Sequence, residues 1–181
     1  MRDEELERLF RTYHGPLVRY LTRRLGDRDW AEEVAQETFL RALRQDTLTS
    51  ERSWLFAVAT NLVRDEARKS ERRRRHLAIL AEQERDTATE PELPAVESLE
   101  RAQEAALARR AVEALAERVR LALLMKEEGL NYNEIAQALG LSVGSIGTTL
   151  ARARRRLAET YEALQAESSR QASGGGGHAA V

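Results

Sequence analysis

Apolar residues recur every three to four positions along most of this chain, a rhythm that predicts helices. From Asp3 to Leu25 the spaced positions are Leu6, Leu9, Phe10, Tyr13, Leu17, Tyr20 and Leu21. Gly15-Pro16 is expected to bend this segment and Gly26-Asp27 to end it. A second helix is expected from Trp30 to Arg44, with Val34, Ala35, Thr38, Phe39, Ala42 and Leu43 turned inward. The polar stretch Gln45 to Arg52 reads as a loop. Ser53 is suited to cap a third helix that reaches about Arg75, with Leu55, Val58, Ala59, Leu62 and Val63 inward. No alternating run of β-branched residues closed by a glycine turn is found, so no strand is expected.

The rhythm stops at Glu84. ERDTATEPELPAVESLE holds two of the three prolines and many acids, and it reads as a linker that buries little apolar surface. Helical spacing returns at Ala105 to Leu115, Arg118 to Glu128 and Asn131 to Leu139. Asn131 followed three residues on by Glu134 has the form of a capping box. Ser142 is placed to cap the last helix, and the tail SSRQASGGGGHAAV is expected to be flexible and to carry no fold of its own. The expectation is an all-α chain of two small helical domains, residues 1–75 and 101–165, joined by an acidic flexible linker at 76–100. A Gly-rich tail at 166–181 follows.

Composition narrows the chemistry. The chain has no cysteine, which excludes disulfides, thiolate metal sites and cysteine nucleophiles. His14, His76 and His178 follow no ligand spacing, so no metal is expected. No catalytic constellation stands out either: there is no Gly-rich phosphate loop, and the paired carboxylates are helix-surface pairs. Neither an enzyme nor a bound cofactor is expected. No apolar stretch reaches membrane-spanning length and MRDEELERLF is too charged for a signal peptide, so a cytoplasmic protein is expected.

Net charge is −1, but the charges are segregated. Residues 64–75 carry seven cations against three acids, residues 143–157 four cations and no acid, and residues 76–100 seven acids and one arginine. Two basic patches flanking an acidic connector set local fields that the sum conceals.

The second patch belongs to a helix-turn-helix pattern. Ile135 and Leu139 bury the first helix, Ala136 is small at the crossing, and Gly140 supplies the turn. Leu141 plugs the angle, while Ile146, Leu150, Ala153 and Leu157 bury the second helix. Its outward face then presents Ser145, Thr148, Thr149, Arg152 and Arg156. Small, uncharged residues at the front would let the backbone approach base edges, and the arginines behind would meet phosphates. In the first patch Arg64, Arg68 and Arg72 share one helix face, beside Lys69, Arg73 and Arg75. Trp54, in the cluster with Leu55 and Phe56, is assigned to the core rather than to base stacking.

Three blocks in this order carry a family resemblance: AEEVAQETFLRAL (Ala31 to Leu43), SWLFAVATNLVRDEAR (Ser53 to Arg68) and EALAERVRLALLMKEEGLNYNEIAQALGLSVGSIGTTLARARRRLAE (Glu113 to Glu159). The chain resembles an extracytoplasmic-function (ECF) sigma factor of the sigma-70 family, a bacterial transcription-initiation subunit with conserved regions 2 and 4. The resemblance implies that region 2 binds the β′ clamp helices of core RNA polymerase through Glu33, Gln36, Glu37 and Leu40. It implies that the 45–52 loop and the next helix open and read the −10 element, with Asn61, Arg64, Asp65, Arg68, Lys69 and Arg72 in contact with promoter DNA. Region 4 would read the −35 element through Ser145, Gly147, Thr148, Thr149, Arg152, Arg154, Arg155 and Arg156, and would meet the polymerase β flap. The acidic linker would thread the polymerase channel. A dedicated anti-sigma factor is a common partner in the family. Three departures stand out: Gly147 and Thr149 are uncharged where the family often has basic residues, Ala116 replaces a usual proline, and the Gly-rich tail is additional. Two other readings compete, a helix-turn-helix regulator that is not a polymerase subunit and a helical adaptor that binds only protein. The 45–75 block argues against the first and the acid-free recognition face against the second.

Overall fold

The computed structural model describes the backbone of residues 3–80 and 96–174, and the side chains of residues 4–69 and 102–170. The described residues form helices α1 (Asp3–Leu25), α2 (Arg28–Leu43), α3 (Glu51–Leu80), α4 (Val96–Glu113), α5 (Glu117–Glu127), α6 (Tyr132–Leu139) and α7 (Val143–Gly174). They fall into two units: α1 to α3 with Leu124–Gly147, and α4 with the start of α5 and α7 from Thr148 on.

In the first unit α1, α2 and α3 pack together around Leu9, Leu17, Tyr20, Leu21, Phe39, Leu55 and Phe56, all buried. Helix α1 runs through Pro16 as one element. A proline inside a helix removes one N–H bond and costs about 3 kcal/mol. The continuous buried face of α1 offsets that, since each large apolar side chain contributes roughly 1.5–3 kcal/mol. Asp27 caps α2, its side chain accepting from Trp30 N–H at 3.0 Å. At the core, the Tyr20 hydroxyl shares a 2.8 Å hydrogen bond with Thr60 Oγ1, and the Tyr20 ring packs on Phe56 at 5.1 Å. Burial pushes the Tyr20 phenol up from its ordinary pKa.

Several expected boundaries move. Ser53 does not cap α3. The Ser50 carbonyl already accepts from Trp54 N–H, so the helix starts two residues earlier and Ser53 lies in its first turn. Helices also extend into both ends of the expected linker: α3 continues to Leu80 and α4 starts at Val96, where Leu, Ala and Glu support helix over coil. The linker's centre lies outside the described residues. The tail is helical to Gly174, because α7 propagates through good helix formers and Ser169 Oγ returns a bond to Gln165 O. The remainder of the tail lies outside the described residues. In the second unit Ala111, Leu115, Leu121, Ala122, Leu123, Leu150 and Ala153 are buried.

Candidate nucleic-acid interface

The turn between α6 and α7 is built as its residues demand. Asn131 Oδ1 accepts from Glu134 N–H at 2.9 Å, and the Glu134 carboxylate accepts from Asn131 N–H at 2.7 Å, closing the capping box. Gly140 takes the left-handed conformation at φ 63°, and Leu141 N–H reaches the Ala136 carbonyl at 2.9 Å. A side chain would be strained there, so glycine sets the angle at which α7 departs. Ile135, Ala136 and Ile146 are buried, as expected, while Leu139, Leu141 and Leu157 are only half-buried.

Along α7, Thr148, Arg152, Arg154, Arg155 and Arg156 are exposed, and Thr149 is half-buried. Ser145 is half-buried and donates its hydroxyl to the Ser142 carbonyl at 2.8 Å, so it serves the helix start. Gly147 sits beside Tyr132: a Cβ there would lie 3.6 Å from the Tyr132 ring. The first turn holds no acid. Further on, Arg155 Nε lies 3.9 Å from a Glu159 carboxylate oxygen, whereas Arg152, Arg154 and Arg156 have no acidic partner among the described residues. In the second unit Arg152, Arg155 and Arg156 also line an open cleft with Leu115 and Val119.

On α2, Glu33, Gln36 and Leu40 are exposed, and Glu37 is half-buried and paired with Arg41 at 2.9 Å. Leu40 is 52% exposed. It does not stand alone: Leu6, Phe10, Phe39, Leu40 and Leu43 line an apolar groove between α1 and α2. Phe10 and Leu43, expected inward, contribute exposed apolar surface to it.

A second cavity lies at the 45–50 loop, walled by Gln45, Thr47, Leu48, Ser50, Ser53, Trp54 and also by Gln137 of α6. Trp54 is half-buried and lines this cavity, so it is not enclosed core as expected. Ser53 is 4% exposed and its Oγ has no hydrogen-bond partner. On α3, Asn61, Asp65, Arg68 and Lys69 are exposed and Arg64 is half-buried. Arg68 lies 4.0 Å from Asp65, and Lys69 lies 3.8 Å from Glu66. The side chain of Arg72 lies outside the described residues. Among the described residues no helix is long and apolar enough to cross a membrane.

Comparison with known proteins decides the family. Sigma-70 region 2 matches residues 9–73 and sigma-70 region 4 matches residues 105–157. The ferric citrate uptake sigma factor FecI of Escherichia coli is 32% identical over 81% of this chain and 85% of its own length. This chain is an ECF sigma factor of the sigma-70 family. The ECF sigma factor BldN of Streptomyces coelicolor is 34% identical, over 83% of the sigma factor described here and 58% of BldN. The sigma factor RpoE of Bartonella quintana, solved with the anti-sigma factor NepR, shares the fold at a TM-score of 0.58 and 21% identity. That match covers 88% of this chain and 95% of RpoE.

As a member of this family, the sigma factor directs promoter-specific transcription with RNA polymerase, and the free-standing regulator is not favoured. The expected site residues lie on α7, on α2 and on α3. Sequence reasoning missed the α1–α2 groove as a whole. It also missed a cluster formed by Arg19, Arg23, Arg52 and Glu128, because residues 105 and 109 positions apart leave no local pattern.

Proposed function

We propose that the sigma factor reads the −35 element with α7 and the −10 element with the 45–52 loop and α3, while α2 holds core polymerase. The observation that carries this is α7: an exposed Thr148 and a partly exposed Thr149 lead, and three exposed arginines free of acidic partners follow. Such a helix enters a major groove by its front and meets phosphates by its rear. Ser145 and Gly147 contribute through backbone approach rather than through their side chains, given their engagement with Ser142 and Tyr132. At −10, the cavity beside Trp54, with the unpartnered Ser53 hydroxyl in its wall, suits a base taken out of the stack. Asn61, Arg64, Asp65, Arg68 and Lys69 extend that face along the melted strand, and the family resemblance adds Arg72 to this set.

Glu33, Gln36, Glu37 and Leu40, with the adjoining apolar groove, form the β′ clamp contact, and region 4 meets the β flap. Residues 1–75 and 101–165 act as the two functional regions and the acidic segment between them threads the polymerase channel. The factor acts in the cytoplasm, does no covalent chemistry and is restrained by an anti-sigma factor. The test is transcription by reconstituted holoenzyme from libraries randomised at −35 and at −10. Region-specific changes in preference from α7 and loop substitutions are expected. Identical preferences in all variants would overturn the assignment.

A further inference from the structure

Two hollows share the seam where α1 packs on α2. One is the apolar groove, which takes Leu6 and Phe10 from α1 and Phe39, Leu40 and Leu43 from α2. The other is a cleft of about 400 Å³ further along, which takes His14, Val18 and Thr22 from α1 and Arg28 and Glu32 from α2. Phe10 lines the first and His14 the second, so this pair is the partition between them. The two residues are four apart on α1 and share one helix face. Their rings stack, with centroids 4.3 Å apart and planes 27° from parallel. Phe10 also meets Phe39 at 5.0 Å. His14 Nε2 lies 3.1 Å from Glu32 Oε2 across the seam, a contact that attracts when Nε2 carries a proton. Arg28 lies 3.9 Å from the other oxygen of Glu32. All these residues belong to the first unit.

We propose that His14 is a positioning residue for polymerase capture: held by Glu32 and stacked on Phe10, it keeps the Phe10 ring in place as the end wall of the α1–α2 groove. The inference rests on the reading of that groove as the β′ clamp contact. His14 and Glu32 are half-buried, whereas Phe10 is 43% exposed. A ring exposed that far changes rotamer within nanoseconds unless something stops it. The imidazole is the stop. A groove whose wall is already set loses less freedom on binding than one whose wall must first be ordered. Without the imidazole, Phe10 is free to turn toward the neighbouring cleft, and groove and cleft run together. The core survives that change, because buried Leu9, Leu17 and Leu21 carry the apolar face of α1.

The test is the affinity of the full-length factor for core RNA polymerase, measured by competition with labelled wild type. His14→Ala should weaken it about fivefold, the worth of one aromatic pair. His14→Phe keeps a ring on Phe10 and should stay within about twofold of wild type, whereas His14→Gln keeps a donor for Glu32 without a ring and should behave like His14→Ala. In a Phe10→Ala background His14→Ala should cost nothing further, because it acts through that ring. Urea melts check that each variant is folded. The chain has three phenylalanines, so the fluorine NMR signal of Phe10 in fluorophenylalanine-labelled factor is assigned by Phe10→Leu. That signal should move toward the free amino acid's position in His14→Ala. An equal loss from His14→Ala with and without Phe10 would overturn the positioning role. So would unchanged affinity in His14→Ala where Leu40→Asp abolishes capture, and the groove reading would then stand. Unchanged affinity in both Leu40→Asp and Phe10→Ala would instead overturn the groove reading, and the positioning role with it.

Discussion

The division of labour along α7 yields a quantitative prediction. Arg156→Ala removes an exposed cation with no acidic partner among the described residues. Deleting one cation that neutralises a phosphate lowers the salt slope of binding by about 0.9. Between 50 and 200 mM salt, the wild-type advantage over Arg156→Ala should therefore shrink by about 3.5-fold. Arg155→Ala should show a smaller change, because the Glu159 carboxylate 3.9 Å away already offsets part of that charge. Neither should alter which sequence is preferred, since phosphates carry no sequence information. Thr149→Arg should do the opposite. A bidentate guanidinium at the front favours guanine by roughly 1–3 kcal/mol, enough to reorder a ranked library. The assay is transcription from a randomised −35 library by wild-type and variant holoenzymes, repeated across salt. Should Arg156→Ala reorder the preferred sequences while Thr149→Arg leaves them unchanged, the front does not read and the rear does not anchor.

Three further outcomes are expected. Leu40→Asp should weaken capture of β′ by about tenfold or more while stability moves by less than about 0.5 kcal/mol, because Leu40 is exposed; pull-down with urea melts checks both. Gly140→Ala should cost about 1–2 kcal/mol in thermal melts, and Gly140→Asn less, because nothing crowds a Cβ there and the penalty is the positive φ alone. Tyr20→Phe should cost about 1 kcal/mol at neutral pH through the lost Thr60 bond. Because burial raises the Tyr20 pKa in the folded state, its protonated form is the one the fold favours. That contribution is complete below the ordinary value of about 10 and is lost as pH rises beyond it. The wild type should therefore lose stability above about pH 10 faster than Tyr20→Phe does; parallel losses would refute this.

The pattern of apolar positions was enough to place the helices, because a helix needs only its own spacing and its caps. Asn131, Glu134 and Gly140 lie within ten residues of each other, and local geometry made the helix-turn-helix legible before any packing was known. The acid-free face of α7 was equally local. Element ends were less legible where packing or propagation outweighed a local signal: buried Leu17 and Tyr20 carry α1 through Pro16, and Ser50 rather than Ser53 starts α3. Leu40 read as a lone exposed leucine until α1 was seen to bring Leu6 and Phe10 beside it. Ser53 read as a cap, and only the fold buried its hydroxyl against the loop cavity. The Glu128 cluster lay furthest from sequence reasoning. In the linear chain Glu128 is one acid at the end of a helix, indistinguishable from Glu127 beside it. Its burial depends on arginines more than a hundred residues away, and such contacts exist only once tertiary packing brings α1 to the end of α5.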